Sequence, residues 1–180
     1  MSMGMPETFK VGTGFKFKGA AGGPTGARLE DRVGVQAPPE TIWQLVSNLE
    51  GWSAWNPLYV KASGTIRIGE ILTLTEQLPG QQARIVQPRV LEWVPNEQLH
   101  WRLSRLKGLA TATHYIEIEK LNEGACIVSN GVLIGGMFGP SLMRGQARAL
   151  RKGLHLMNEA LKATAETAWR EQGGAPTSQA

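Results

Sequence analysis

The stretch SLMRGQARALRKGLHLMNEALKATAETAWREQ, residues 141 to 172, decides the fold. Its apolar residues recur in steps of three and four, which is the spacing of one helix face, and charged residues fill the opposite face. The apolar face consists of Met143, Ala147, Leu150, Leu154, Met157, Leu161, Ala165 and Ala168. The pattern predicts one helix from about Pro140 to just before Gly173, roughly 40 Å long. Such a helix needs a large apolar surface to pack against.

Strands upstream of this helix can supply that surface. Residues 28–36 form a first strand, and two short helices follow it, because Pro39 begins an apolar stripe that Ser47-Asn48 interrupts. Five later segments alternate or run apolar between turn signals: 70–77, 82–94, 97–106, 110–121 and 125–134. The order predicts an α+β fold in which a curved antiparallel sheet wraps around the long C-terminal helix.

Composition divides the chain into three parts. Residues 1–27 are rich in glycine and poor in large apolar groups, so we expect a flexible N-terminal arm. Residues 28–170 form one globular domain, and residues 171–180 are expected to be a disordered tail.

Several classes of protein are disfavoured by composition. Cys126 is the single cysteine among 180 residues, and no metal-ligand spacing occurs, so we predict no disulfide, no metal and no cofactor. No apolar run is long enough to span a membrane, and no secretory signal is evident, so we expect a cytoplasmic protein without integral membrane association. The net charge of +4 is mild and does not indicate a nucleic-acid partner.

Two motifs and the order of elements carry a family resemblance. The segments APPETIWQLVSNLEGWSAWNPLY (37–59) and PRVLEWVPNEQLHWR (88–102), together with the closing helix, resemble the SRPBCC superfamily. This group includes START domains, polyketide cyclase/dehydrase-like proteins and Bet v 1-like ligand carriers. The resemblance covers about residues 28–168. It implies a helix-grip fold with a cavity between sheet and helix that usually holds an apolar or amphipathic small molecule.

The segment GWSAWNPLYVKASG, residues 51–64, concentrates aromatic surface in a loop before a strand-like stretch. The resemblance places this loop near the cavity mouth, with Trp52 or Trp55 closing one end of the core. Asn56-Pro57 would turn the chain into the next strand. The simpler interpretation is that both tryptophans only seal the core.

Strand parity selects the first candidate for chemistry. In THYIEIE, Tyr115 shares a face with Glu117 and Glu119, so His114, Ile116 and Ile118 face the interior. An inward His114 could act as a general acid or base, or could hydrogen-bond a ligand carbonyl. The favoured interpretation is a core histidine whose partner is a backbone carbonyl or a hydroxyl.

The same parity places Trp101 and Leu103 on the cavity wall, and it turns Leu72 and Leu74 inward. Glu76 then follows them toward the strand end, where its carboxylate could meet a ligand or Arg84 on the following strand. Because buried glutamate is rare unless paired, an exposed ion pair at the rim is favoured.

The connection before the last helix and the helix surface raise two further hypotheses. Met137, Phe138, Leu142 and Met143 could form an adaptable apolar gate, or a rigid turn that seals the core. The basic row Arg144, Arg148, Arg151 and Lys152 is interpreted as a solvated helix face in preference to a patch for anionic membrane or nucleic acid.

These observations leave three functional hypotheses. The favoured one is binding or transport of a hydrophobic or amphipathic small molecule, lipid-, polyketide- or isoprenoid-like, by a monomer or homodimer. The predicted ligand-binding residues are Trp55, Leu72, Leu74, Trp101, Leu103, His114, Ile116, Ile118, Phe138, Met143, Leu150 and Leu154. The second hypothesis is an enzyme resembling polyketide cyclases/dehydratases, with His114, Glu76 and Arg84 as candidate catalytic residues. The third is an interaction protein similar to chaperone activators of the same superfamily.

Overall fold

The computed structural model describes residues 27–174, except for the side chains of Leu142 and Met143. The predicted arm therefore lies outside the described residues, apart from Ala27, as does the predicted tail beyond residue 174. Both remain predictions.

Eight strands and four α-helices make up the described part of the chain. The strands are β1 (Ala27–Val35), β2 (Tyr59–Ser63), β3 (Thr73–Glu76), β4 (Arg84–Val86), β5 (Arg89–Val94), β6 (Gln98–Arg105), β7 (Ala110–Asn122) and β8 (Ala125–Gly135). The α-helices are α1 (Pro39–Ser47), α2 (Trp52–Trp55), α3 (Gly139–Arg144) and α4 (Ala147–Glu171), and two 3-10 turns occupy Leu49–Gly51 and Leu106–Gly108. None of the described helices is long and apolar enough to cross a membrane.

The strands form two antiparallel sheets. The larger sheet has the order β1-β8-β7-β6-β5, and the smaller has the order β2-β3-β4. An isolated bridge pairs Ile71, just before β3, with Arg89 of β5, the edge strand of the larger sheet. Helix α4 packs mainly on β1 and also contacts α1 and β8. This arrangement confirms the predicted helix-grip fold, with a long C-terminal helix against a curved antiparallel sheet and short helices after the first strand.

The prediction of one strand over 82–94 is wrong, because the chain leaves one sheet and enters the other within it. β4 ends at Val86 in the smaller sheet, and β5 begins at Arg89 in the larger one. Pro88 lies between them and has no N–H for a strand ladder, so it favours a break at this point.

The prediction of one unbroken C-terminal helix is also wrong. α3 ends at Arg144, Gly145 interrupts the helical stretch, and α4 starts at Ala147. Glycine is the least favourable residue after proline in a helix interior. The break leaves Gln146 at the N-terminal cap of α4, where its side chain lies near Arg84 of β4.

The core lies between α4 and the concave faces of the sheets. Helix α4 buries one apolar row, formed by Leu150, Leu154, Met157, Leu161 and Ala165. Each fully buried leucine contributes roughly 2 kcal/mol of apolar burial. The row packs within one cluster that also contains buried residues of both sheets and of α1. The periodicity that predicted the helix therefore also identified its buried face.

One polar contact fixes the position of α4 on β1. The Asn158 amide is fully buried, and its nitrogen donates to the backbone oxygen of Asp31 at 3.0 Å and to Oδ2 of Asp31 at 2.8 Å. On the exposed side, Nδ1 of His155 lies 3.2 Å from Oδ1 of Asp31. Asp31 interrupts the apolar pattern of β1 because its oxygens accept the hydrogen bonds from this helix.

Candidate functional site

A cavity of about 130 Å³ lies between the two sheets and the start of α4. Its wall combines aliphatic groups with a compact set of polar ones. The lining residues are Glu76, Leu78, Arg84, Leu103, Arg105, Ala110, Thr111, Ala112, His114, Gly139, Gln146 and Leu150. The cavity therefore has an apolar wall and a polar corner.

The polar corner is built from one row across the smaller sheet. In its register, Tyr59 of β2 pairs with Glu76 of β3, and Glu76 pairs with Arg84 of β4. Facing residues on neighbouring strands point to the same side of a sheet, so the register alone brings these three side chains together. In the larger sheet, Trp101 of β6 pairs with His114 of β7. The site forms where this pair meets the row of the smaller sheet.

His114 occupies the interior side of β7, as strand parity predicted. Its side chain is buried, its Nδ1 lies 2.9 Å from the Tyr59 hydroxyl, and its ring stacks on Trp101 with centroids 5.6 Å apart. A ring with a stacking partner and a hydrogen bond at Nδ1 has little rotational freedom. His114 also lines the cavity, and its other ring nitrogen, Nε2, forms no hydrogen bond with another described residue.

The tryptophans of the aromatic loop, residues 51–64, lie behind this histidine and support it. Trp52 is fully buried, and its ring contacts the rings of Trp55, Tyr59 and Trp101 at centroid distances of 6.1, 5.8 and 6.1 Å. Its indole nitrogen donates to the backbone oxygen of Val46 at 3.1 Å, which ties α2 to α1. Edge and tilted contacts of this kind add to apolar burial. The aromatic loop therefore seals the core and supports the two rings that hold His114.

Asn56 sets the position of Tyr59. Its Oδ1 accepts hydrogen bonds from the backbone nitrogens of Leu58 at 3.0 Å and Tyr59 at 2.9 Å. This side-chain turn is typical of Asn before Pro and directs the chain out of α2 into β2. The Asn-Pro pair was expected to turn the chain, and its bonds fix the residue that contacts His114.

The hydrogen bond between Tyr59 and His114 determines which nitrogen of His114 carries the proton. Burial raises the pKa of Tyr59 well above its ordinary value, with the charge of Glu76 adding to the effect, so the phenol keeps its proton. Among the described residues, Nδ1 of His114 is the one hydrogen-bond partner of the Tyr59 hydroxyl, so the buried phenol proton is donated to it. Neutral His114 then carries its proton on Nε2.

Burial keeps this histidine neutral. Desolvation, with a smaller contribution from the charge of Arg84, lowers the pKa of His114 to about 4. An imidazole with such a pKa is uncharged at neutral pH and offers one N–H donor at Nε2. It is a weak base, because a low pKa means low proton affinity.

Glu76 and Arg84 form an ion pair as predicted, but the prediction that this pair is exposed at the rim is wrong, because the Glu76 carboxylate is buried and Arg84 is only partly exposed. Nε of Arg84 donates to Oε2 of Glu76 at 2.5 Å, and the Glu76 side chain is only 5% exposed. Gln146 lies over the pair, with Oε1 3.5 Å from an Arg84 nitrogen. The sequence did not predict this contact, because Gln146 lies at the helix break, 62 positions after Arg84 in the chain. The guanidinium holds the carboxylate and also faces the cavity.

The structure sorts the predicted binding residues into groups. Of the predicted set, Leu103, His114 and Leu150 line the cavity, together with the catalytic candidates Glu76 and Arg84. The others with described side chains lie elsewhere: Leu72, Leu74, Trp101, Ile116, Ile118 and Leu154 in the core, Trp55 partly buried, and Phe138 exposed. The side chain of Met143 lies outside the described atoms. That any of these residues binds a ligand remains a prediction.

Several lining residues were missed by sequence reasoning. Gln146, Thr111, Arg105 and Leu78 line the cavity, and Tyr59 supports His114 from just behind it. Strand parity would have turned Tyr59 inward if β2 had been given boundaries. Within residues 27–174, no group of three or more His, Cys, Asp or Glu side chains could hold a metal ion.

The sequence matches one family along most of its length. The model of the family described as "Polyketide cyclase / dehydrase and lipid transport" matches residues 26–166. The chain belongs to this family. Comparison with curated protein sequences gave no match.

Solved structures show the same fold at low sequence identity. The Zhui aromatase/cyclase from Streptomyces sp. R1128 superposes with a TM-score of 0.68 at 16% identity, covering 84% of this chain and 100% of its own. A START superfamily protein from Mycobacterium smegmatis superposes with a TM-score of 0.61 at 19% sequence identity. The match covers 78% of this chain and 98% of that protein. Norcoclaurine synthase from Thalictrum flavum superposes with a TM-score of 0.61 at 13% sequence identity. The match covers 80% of this chain and 96% of that protein. These similarities support an SRPBCC-type fold.

Proposed function

We propose that the protein binds a small amphipathic molecule in the cavity between the sheets and α4. The observation that carries this proposal is the combination of an aliphatic wall with His114 and Arg84 at one corner. A mostly apolar cavity with a few convergent polar groups is typical of small-molecule sites. The family of lipid-transport and cyclase-like proteins supports the same class of ligand.

The polar corner favours a ligand with an acceptor oxygen. Nε2 of His114 offers a neutral N–H donor, and the guanidinium of Arg84 offers charged donors beyond the bond it gives to Glu76. A carbonyl, phenolic or carboxylate oxygen would accept from these groups. The apolar body of the ligand would then lie against Leu78, Leu103 and Leu150.

Cavity size limits what fits inside. A volume of about 130 Å³ is close to the roughly 150 Å³ of an engineered protein cavity that accepts benzene. One aromatic ring or a short branched chain fills such a space. A longer lipid-, polyketide- or isoprenoid-like molecule would place its oxygen-bearing end at His114 and continue past the exposed Arg105 at the edge of the cavity.

A cyclase- or dehydratase-like enzyme is the second candidate, and the convergence of polar groups favours it. Such chemistry requires at least two positioned polar groups, and Glu76 and Arg84 converge with His114 on one cavity. In this role, Nε2–H of His114 would hydrogen-bond a substrate carbonyl while Arg84 stabilised the developing negative charge. The low pKa of His114 makes it a weak general base, so simple binding is the function that the geometry supports best.

The test is a titration of purified protein with three compounds, followed by native mass spectrometry: a medium-chain fatty acid, a phenolic polyketide analogue and an isoprenoid alcohol. His114→Phe retains an aromatic ring against Trp101 but removes the N–H donor, and Arg84→Met removes the charged donors. His155→Phe is the matched control, because His155 lies on the exposed face of α4.

Saturable one-to-one binding of at least one compound, weakened about tenfold or more in H114F or R84M and unchanged in H155F, supports the proposal. Absence of binding by all three compounds, or equal binding in every variant, contradicts it. Analysing the same mixtures for products distinguishes the two candidates, because wild-type turnover that H114F loses identifies an enzyme.

A further inference from the structure

Two connections lie side by side at one end of the molecule. The turn between β6 and β7 (106–109) and the segment between β8 and α3 (136–138) are joined by a hydrogen bond from the Phe138 nitrogen to the Leu109 oxygen, at 3.1 Å. Gly136 packs so closely there that a Cβ atom would lie 2.4 Å from the same oxygen. We refer to these two connections as the loop end, and we include in it Arg105 at the end of β6, Arg144 at the end of α3 and Arg148 in the first turn of α4.

The loop end exposes large apolar side chains on both connections. Leu106 and Leu109 are 56% and 47% exposed, and Met137 and Phe138 are 78% and 45% exposed. Single exposed apolar residues are common on soluble domains, but groups of neighbouring ones usually mark an interaction site. Because these four stand on adjacent connections, they form one surface.

The turn that carries Leu106 is held in an unfavourable conformation. Leu106 and Lys107 have φ angles of 50° and 53°, in the left-handed region. A residue with a large side chain rarely adopts this conformation, and strained backbone tends to occur at functional sites. The strained turn keeps Leu106 and Lys107 on the outside of the domain.

Charge is distributed unevenly along the molecule. Residues 98–116 and 124–158 contain no Asp or Glu. The loop end carries four exposed cations that form no ion pair with any described residue: Arg105, Lys107, Arg144 and Arg148. At the opposite end of the larger sheet, Glu97 and Glu123 lie in turns and Glu119 lies near the end of β7. There Glu119 pairs with Arg32, and Glu123 pairs with Lys120. Cations without an ion-pair partner and exposed apolar groups therefore occur together at the loop end.

The cavity is close to this surface. Arg105 and Gly139, which border the two connections, both line it, and Arg105 is exposed to solvent. A partner that covers the loop end would consequently lie next to the cavity opening.

We propose that the loop end docks on an anionic lipid surface. Apolar side chains surrounded by Arg and Lys match the two layers of such a surface, because the apolar groups enter the acyl boundary while the cations contact lipid headgroups. The four apolar groups stand outward on two separate turns, which suits insertion into lipid better than a flat contact with an acidic protein. The inference does not depend on what the cavity holds.

The experiment is flotation of the full-length protein with vesicles of phosphatidylcholine containing 30% phosphatidylglycerol, compared with pure phosphatidylcholine, at low and high salt. Met137→Ser/Phe138→Ser removes apolar groups, and Arg144→Gln/Arg148→Gln removes two cations. Leu121→Ser is the matched apolar control, since Leu121 is 56% exposed at the far end of β7. Lys61→Gln/Arg67→Gln is the matched charge control, since both residues are exposed in or after β2.

We expect the wild type to float with the anionic vesicles and much less with the neutral ones. Each cation near an anionic surface changes partitioning roughly fivefold, so R144Q/R148Q should reduce it roughly 30-fold. M137S/F138S should reduce it at least tenfold, and both controls should bind like the wild type. All substituted side chains are exposed, and thermal melting checks that the variants remain folded.

The proposal is overturned if the wild type does not float, if the loop-end variants bind like the wild type, or if the controls lose binding equally. Binding to an acidic protein without vesicle flotation would also overturn it.

Discussion

The Tyr59 hydroxyl lies 2.9 Å from Nδ1 of His114, and this contact connects the smaller sheet to the larger one inside the core. It fixes the histidine as the tautomer that carries its proton on Nε2. It also explains the aromatic loop, because Trp52 supports both Tyr59 and the Trp101 ring that stacks on His114.

Tyr59→Phe should remove the hydrogen bond that selects one tautomer of His114, while the packing of the ring is kept. In the wild type, long-range ¹H–¹⁵N spectra should show His114 protonated at Nε2 at pH 7. In Y59F, loss of the donor to Nδ1 should give a mixture of tautomers, and stability should fall by about 1 kcal/mol. A wild-type His114 protonated at Nδ1 would contradict the hydrogen-bond direction derived from the Tyr59 hydroxyl.

Folding stability should fall between pH 6.5 and pH 4 because of His114. Its folded pKa of about 4 lies below the ordinary value of 6.5, so the unfolded chain binds more protons in this window. Stability therefore rises with pH through the window and is fully present above about pH 6.5. The expected loss is on the order of 3 kcal/mol at most.

Urea denaturation of the wild type and of His114→Phe at pH 7 and pH 4.5 measures this effect. The loss of stability should be clearly smaller in H114F, because its remaining pH dependence comes from other groups. Equal losses in the two proteins would show that His114 is not buried as a neutral group.

Breaking the Glu76–Arg84 pair should be costly. Removal of one partner of a buried ion pair typically destabilises a protein by about 3–5 kcal/mol. Arg84 is partly exposed, with 32% of its side chain accessible, so the lower part of this range is expected. Glu76→Gln, Arg84→Met and the double variant, compared by chemical denaturation, form a double-mutant cycle. The double variant should be less destabilised than the sum of the single variants, and additive losses would indicate that the two side chains do not interact.

Asn158→Ala should loosen α4 from β1. The amide is fully buried and donates two hydrogen bonds to Asp31, so its removal leaves acceptors of β1 without partners. We expect a loss of about 1–3 kcal/mol in the free energy of unfolding. His155→Ala, one turn earlier and exposed, removes only a surface contact with Asp31 and should cost less than 1 kcal/mol. A comparable effect in both variants would mean that burial of the amide has no special role.

The parts of the fold that sequence reasoning predicted depend on local periodicity. The apolar row of α4 and the inward position of His114, Ile116 and Ile118 follow from spacings of 3.6 and 2 residues. The family model and the solved structures support the fold that these patterns indicated.

The parts that were missed depend on contacts between distant segments. Pro88 and Gly145 are local signals for a break, but no local signal shows that the chain enters the other sheet after Pro88 or that Gln146 contacts Arg84 after Gly145. The Glu76 carboxylate is buried because three strands and a helix terminus meet there, and pairwise sequence rules treat such a group as exposed. Tyr59 could have been found by extending strand parity to β2.

The most direct test of the central claim is native mass spectrometry of freshly purified wild-type protein and of His114→Phe, followed by organic extraction of any co-purifying molecule. The account predicts that the wild type retains a small amphipathic compound with an acceptor oxygen, and that H114F retains much less of it. Wild-type protein that remains empty even after addition of candidate amphipathic compounds, or retention that does not depend on His114, would contradict the proposal that this cavity is a binding site.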